Sequence, residues 1–326
     1  MAGGTERTEA LDLLKTVLVA GMISAHCVQL LAEAPPGWAL GWAGYVNLVT
    51  FSGFLLAFGI GVGMSRRVPP WRARLVAVLR IWLAVVASSL GYQVLVERMP
   101  LTGGLVWDVA STRVLFGWSE FLTAFLVLYL LLAVLRPWVG WVAVRPAWLM
   151  ALGVAGLGST WVTVGAFWPM VGGLVGHREY ASFPVLGYGP WFLAGLWIGA
   201  RGRGIEAGEV ALGAAATGVF LLAWWGQGWV PDRFPPSVPW VIGAGLPLAL
   251  YVWGAGRVSA PGWALAAGRH VLASLVVSNL LIFGARAGWG WPLHGGWAIL
   301  GAALALFAVV TLWGLALDRL GRKEVA

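Results

Sequence analysis

The chain has 326 residues, 60% of them hydrophobic and only 10% charged, where a soluble domain carries about 25% charged residues; such a composition cannot cover a water-facing surface and excludes an ordinary soluble fold. The net charge of +8 and pI near 10.4 would suit nucleic acid if the basic residues formed one patch, but they lie between apolar runs, which excludes that partner.

A chain solvated by lipid must satisfy its backbone internally, through helices or a closed barrel. A barrel alternates apolar and polar residues in segments of about ten, whereas this sequence has continuous apolar runs of about 20, the length of a membrane-spanning helix. The runs predict spans at 10–32, 38–64, 74–95, 116–136, 147–166, 184–200, 207–226, 238–255, 262–284 and 294–317. The first run begins beside Asp12 and Lys15 without a small-residue cleavage site, and so reads as a retained span. The Gly-rich stretch 167–176 reads as a possible re-entrant piece. The expected architecture is an all-α integral membrane protein: a bundle of about ten transmembrane helices, one domain over residues 1–326, with both termini cytoplasmic.

The positive-inside bias gives an independent check on orientation. With the N-terminus inside and strict alternation, only Arg98, Arg113, Arg178, Arg233 and Arg286 fall outside, and all other Lys and Arg residues fall inside. This also accounts for the high pI. Glycine clusters at Gly59, Gly61 and Gly63, and at Gly153, Gly156 and Gly158, read as sites of close helix approach. No internal repeat argues for a transporter of the inverted-repeat type.

The first span carries the sharpest chemical signal. Lys15 and His26 are eleven residues apart, about three turns, and share a helix face roughly 16 Å apart along the axis. Asp12 lies at i,i+3 from Lys15, where an ion pair forms. An ionisable residue within a span is costly and marks a functional hypothesis, and imidazole suits general-base work near neutral pH. The plain alternatives are a His26 that bonds a neighbouring helix and a Lys15 that snorkels to the interface. Cys27 adjoins His26 but faces another way. His177 and His294 lack metal-ligand spacing, so no metal is expected.

The string Leu11-Asp12-x-x-Lys15-x10-His26 resembles the opening motif of the transmembrane acyltransferases called acyltransferase family 3, with Lys15 in place of the family's Arg. Three other segments also resemble that family. They are Ser52-Gly53-Phe54 in the second span, the basic segment from Arg66 and Arg67 through Arg72 and Arg74 to Arg80, and Gly268-Arg269-His270 before a late span. There Leu275 and Ser278-Asn279 replace residues the family often carries. Phe116-Gly117 and Phe183-Pro184 are similar to the heparan-α-glucosaminide N-acetyltransferase-like proteins.

The resemblance implies an acyltransferase of the bacterial inner, cytoplasmic membrane. It would move an acyl group, chiefly acetyl, from cytoplasmic acyl-CoA to a hydroxyl or amine of a sugar or lipid-linked acceptor. His26 would be the base, with Lys15 and Asp12 on the same span toward its cytoplasmic end as further members of the catalytic set. Arg66, Arg67, Arg72, Arg74, Arg80 and Arg269 would grip the phosphates of the donor, since guanidinium binds phosphate through charge-assisted forks. Ser52, Gly53, Phe54, Glu120, Ser278 and Asn279 would shape the acyl and acceptor pocket. The phosphates would bind at the cytoplasmic end and His26 would lie beyond the midplane. A small-solute transporter, or a family member that binds without catalysis, are the competing readings.

Overall fold

The computed structural model of the chain describes residues 4–65, 67–114, 117–165, 169–178, 181–289 and 292–323. Helix α1 (Gly4–His26) runs directly into a π-helical turn, Cys27–Leu31. There follow α2 (Gly37–Met64), α3 (Trp71–Leu95), α4 (Gly103–Ala110), α5 (Glu120–Ala143), α6 (Pro146–Gly158), α7 (Pro169–Val175) and α8 (Val185–Arg201). The remainder forms α9 (Ala207–Gln227), α10 (Val238–Ile242), α11 (Gly245–Ala255), α12 (Ala266–Arg269), α13 (Val271–Trp289) and α14 (Gly296–Lys323). Among the described residues there is no β-strand, only isolated bridges such as Ala32 with Leu293.

Among the described residues, eight segments are long and apolar enough to cross a membrane: Thr8–Leu31, Gly37–Met64, Trp71–Leu95, Glu120–Ala143, Ala207–Gln227, Val238–Ala255, Val271–Gly288 and Gly296–Gly321. Large apolar side chains cover their outer faces, among them Leu222, Trp225, Leu304 and Leu312, as a lipid-facing surface requires. The architecture is therefore that of an all-helical integral membrane protein, with eight helices that qualify as spans where the sequence predicts about ten.

The other two expected spans exist as shorter helices, and their packing shows why. Helix α8 lies parallel to α2 at backbone contact. Gly59 and Gly63 of α2 face the Phe192 and Leu196 carbonyls, while Gly195 and Gly199 of α8 face those of Leu56 and Ile60. A side chain at any of these four would stand 2.9–3.0 Å from a backbone nitrogen of the partner helix, and closer still to the carbonyl oxygen. Small residues are the usual means of such approach in lipid. Helix α6 packs antiparallel to α8, with Gly156 against Leu186 and Gly187 against Thr160. Ser159 and Thr160 return their hydroxyls to the Gly156 and Leu157 carbonyls and end α6 there. The start of α8 meets the middle of α2, where Phe51 contacts Phe183 and Tyr188 at 4.6 and 4.7 Å. Helices α6 (13 residues) and α8 (17 residues) thus meet halfway up the bundle. Among the described residues between them, α7 sets Gly173 on Val127 of α5. In the second predicted glycine cluster only Gly156 is packed; Gly153 and Gly158 have open space where a side chain would go.

The bundle has two chemically distinct ends. One, the basic end, holds the N-terminus of α1, the α2–α3 connection with Arg67, Arg72 and Arg74, and the end of α14, whose Asp318 pairs with Arg269. The far end holds Arg98, Arg233 and Arg286.

Candidate functional site

His26 is the last residue of α1 and the N-cap of the π-helical turn. Such single turns interrupt the regular hydrogen-bond ladder and are frequent at functional sites. The Leu30 carbonyl within the turn accepts from Arg286 of α13 at 2.5 Å. Leu31 and Glu33 exchange backbone hydrogen bonds with Leu293. Together these contacts pin the end of the first span, so His26 is held on a braced element.

The ring lines a cavity of about 210 Å³. Trp118 meets it edge-on, with centroids 4.8 Å apart. Trp118 has φ of 69°, a left-handed conformation that is rare and costly for a bulky residue. This turn aims the indole at His26 and starts α5, whose N-cap Ser119 accepts a 2.7 Å hydrogen bond from Ser89 of α3. Asn279 of α13 donates to Ser88 at 3.0 Å, which leaves its carbonyl for the His26 side. Nδ1 of His26 and Oδ1 of Asn279 are both buried without a well-formed hydrogen bond, though the two side chains interact. The Nε2 side of the ring is thereby left to the cavity.

A carboxyl group and a guanidinium complete the cavity wall. Glu120 sits in the first turn of α5, where the helix dipole favours a carboxylate, and its own and the Trp118 backbone N–H groups donate to it. Arg233, from the connection between α9 and α10, lies over the rings of Phe183 (5.4 Å) and Phe234 (4.5 Å). It makes no ion pair within 4 Å among the described residues, and its Nε is buried without a partner. Burial lowers the Arg233 pKa from the usual guanidinium value, and Tyr188 and Glu120 oppose that shift. Arginine remains charged even so. Gln29, Asn47 and Phe121 also line the space.

A second, larger cleft of about 730 Å³ serves the basic end, lined by Lys15, Arg80, Arg269, His270, Phe54 and Tyr129 among others. It adjoins a cavity of about 320 Å³ at Arg74 and Arg136, sharing Lys15, Phe58 and Tyr129 with it. Lys15 pairs with Asp12 at 2.7 Å. Arg269 and His270 both hold Asp318, at 2.5 and 2.8 Å. Gly268 explains how α12 comes so near: its N–H donates to Thr16 at 2.9 Å, and it abuts the Asp12 carbonyl. Phe121, Leu122 and Leu275 line both the His26 cavity and this cleft. They form a thin apolar barrier between the two.

The residues expected at a site divide accordingly. His26, Glu120 and Asn279 meet in the upper cavity. Lys15, Phe54, Arg80 and Arg269 line the lower cleft, and Arg74 its neighbour. Arg74 also donates to the Ala133 carbonyl. Asp12 stands behind Lys15. Ser52 and Gly53 line neither space: Ser52 is fully buried, and Gly53 packs on Leu18 and Leu248. Ser278 returns its hydroxyl to Leu275 of its own helix. Arg67 and Arg72 are exposed and line none of the cavities. Arg66 and Phe116 lie outside the described residues. No group of three or more metal-binding side chains occurs among the described residues.

Sequence reasoning passed over Arg233, Trp118, Gln29, Asn47 and Arg136. A signal for Arg233 was present, since it is one of five arginines that break the charge bias. Two of those five have structural employment around His26: Arg233 on the cavity and Arg286 on the Leu30 carbonyl. No family model matches the chain, and no curated protein or solved structure does so either. The resemblance to transmembrane acyltransferases therefore rests on the sequence motifs themselves.

Proposed function

We propose that the protein is a membrane-bound acyltransferase. It would take an acyl group, acetyl in the simplest case, from acyl-CoA at the basic end and pass it to a hydroxyl or amine of a sugar or other envelope acceptor at the far end. One observation carries this reading: a cleft lined by Lys15, Arg80 and Arg269 and a histidine-bearing cavity share only Phe121, Leu122 and Leu275.

The reaction divides between the two spaces. The donor phosphates lie among Lys15, Arg80 and Arg269, and the thioester arm reaches up to the barrier. The acceptor hydroxyl lies against Nε2 of His26. His26 takes the hydroxyl proton as the oxygen forms a bond to the thioester carbonyl carbon. The carbon–sulfur bond breaks, and the proton passes to the departing sulfur, giving free thiol and the ester. Asn279 favours the Nδ1–H tautomer by presenting its carbonyl to that nitrogen, which leaves the Nε2 lone pair for the acceptor. For the oxygen–carbon bond to form, the acyl end of the donor must pass between Phe121, Leu122 and Leu275 into the His26 cavity; before it does, these side chains keep water from the acceptor side off the thioester.

A positioned general base contributes about 10²–10⁴-fold. Acetyl-CoA turnover by purified protein in lipid, compared with His26→Ala, is the direct test, and the variant should lose activity by that factor. Equal turnover in the two proteins would remove the proposed base. A small-solute transporter is the second reading, favoured by the same pair of opposed cavities, which alternating access also uses. It predicts solute flux without thioester turnover.

A further inference from the structure

From the His26 cavity we infer that the acceptor carries an anionic oxygen group, a carboxylate or a phosphate, which pairs with Arg233 while a neighbouring hydroxyl meets His26. The inference rests on the acyl-transfer reading for the fate of that hydroxyl, but the anion site stands on its own geometry.

A guanidinium taken out of water is costly unless it is paired. Arg233 is held over two phenylalanine rings, with Nε sealed. The aromatic faces offset part of that cost but satisfy none of its N–H donors. Glu120 acts on it without forming an ion pair and is engaged by two backbone N–H groups. The guanidinium fork is thus open toward a cavity of about 210 Å³. A planar fork is suited to carboxylate and phosphate. Glu120, Asn47 and Gln29 supply hydrogen-bonding partners for hydroxyls on the remaining wall. The arrangement describes an acidic sugar better than a neutral one: one anionic substituent, several hydroxyls and a small body.

The test compares binding of glucuronate, glucose 1-phosphate and glucose to the full-length protein in lipid, followed through tryptophan fluorescence, which Trp118 at the site makes responsive. The wild type should bind at least one of the anionic sugars about tenfold or more tightly than glucose. A carboxylate preference would indicate a sugar acid, and a phosphate preference a sugar phosphate or phospholipid head. Arg233→Gln should abolish the preference, and Arg233→Lys should retain part of it because charge persists without the fork. Helix content and acetyl-CoA binding at the basic end report folding of both variants. Equal binding of all three sugars by the wild type, or a preference that survives in Arg233→Gln, overturns the anion site. Acetyl transfer to neutral sugars with no charge preference overturns it too, while sparing the activity. A charge preference without any acetyl transfer supports the site and removes the activity.

Discussion

Gly268→Ala offers a measure of how tightly the basic-end cleft is built. A methyl group there would stand 2.7 Å from Thr16 Oγ1 and 2.8 Å from the Asp12 carbonyl carbon, with the carbonyl oxygen nearer still. Ordinary contact begins near 3.4 Å, so clearing the carbonyl oxygen, the nearest of the three atoms, requires α12 to retreat from α1 by more than about 1 Å. Most of that neighbourhood is backbone and cannot yield. Overpacking of this kind costs about 1–3 kcal/mol. Loss of the Gly268–Thr16 hydrogen bond adds roughly 1 kcal/mol. The expected destabilisation is therefore about 2–4 kcal/mol. The same retreat moves Arg269 and His270, which hold Asp318 and line the cleft. Thermal unfolding in detergent and acetyl-CoA binding are the assays, and both should weaken. Unchanged stability together with unchanged acetyl-CoA affinity would refute the packing argument and the place of α12 in the donor cleft.

Other substitutions separate the remaining parts of the account. Gly195→Ala should destabilise the bundle strongly in a thermal unfolding series, because α8 would be pushed off Leu56 and Ile60; Gly153→Ala, facing open space, should be neutral or stabilising by up to about 1 kcal/mol. Leu275→Ala thins the barrier, so hydrolysis of acetyl-CoA without acceptor should rise several-fold; an unchanged background rate would show that water is excluded elsewhere. Asn279→Ala should lower kcat with little change in acceptor KM, and a tenfold loss corresponds to about 1.4 kcal/mol; a change confined to KM would make Asn279 a binding group instead.

What the sequence made legible follows from the range of each interaction. The eight long apolar helices are visible because hydropathy over about 20 residues reports solvent directly. Helix α8 lies within a residue of the expected 184–200, whereas α6 ends at Gly158 rather than near 166, because Ser159 and Thr160 bond back to its own carbonyls. The cluster at Gly59 and Gly63 reads as a site of close helix approach and is one; which helix approaches, through Gly195 and Gly199, joins residues far apart in the chain and is set only by the fold. Within the site, His26 and the Asp12–Lys15 pair were readable because charges inside an apolar run stand out. Asn279 and Glu120 were named, but only the fold brings them to His26. Ser52 and Gly53 show the converse: a short motif on the second span turned out to face its neighbours in the core. The π-helical turn after His26 and the left-handed Trp118 have no sequence signature in a single chain. Arg233 required the fold as well, although its break with the charge bias was a fair hint.

The central claim is that an acyl group passes from a donor at the basic end to an acceptor at the far end, past a barrier only three side chains wide, with His26 receiving the proton. Sealed vesicles of defined orientation, with radiolabelled acetyl-CoA confined to the basic-end side and acceptor to the other, test this directly. The account predicts labelled product on the acceptor side with wild-type protein and a loss of about 10²–10⁴-fold with His26→Ala. Label that appears only when donor and acceptor share one side, or that appears equally with the alanine variant, would contradict it.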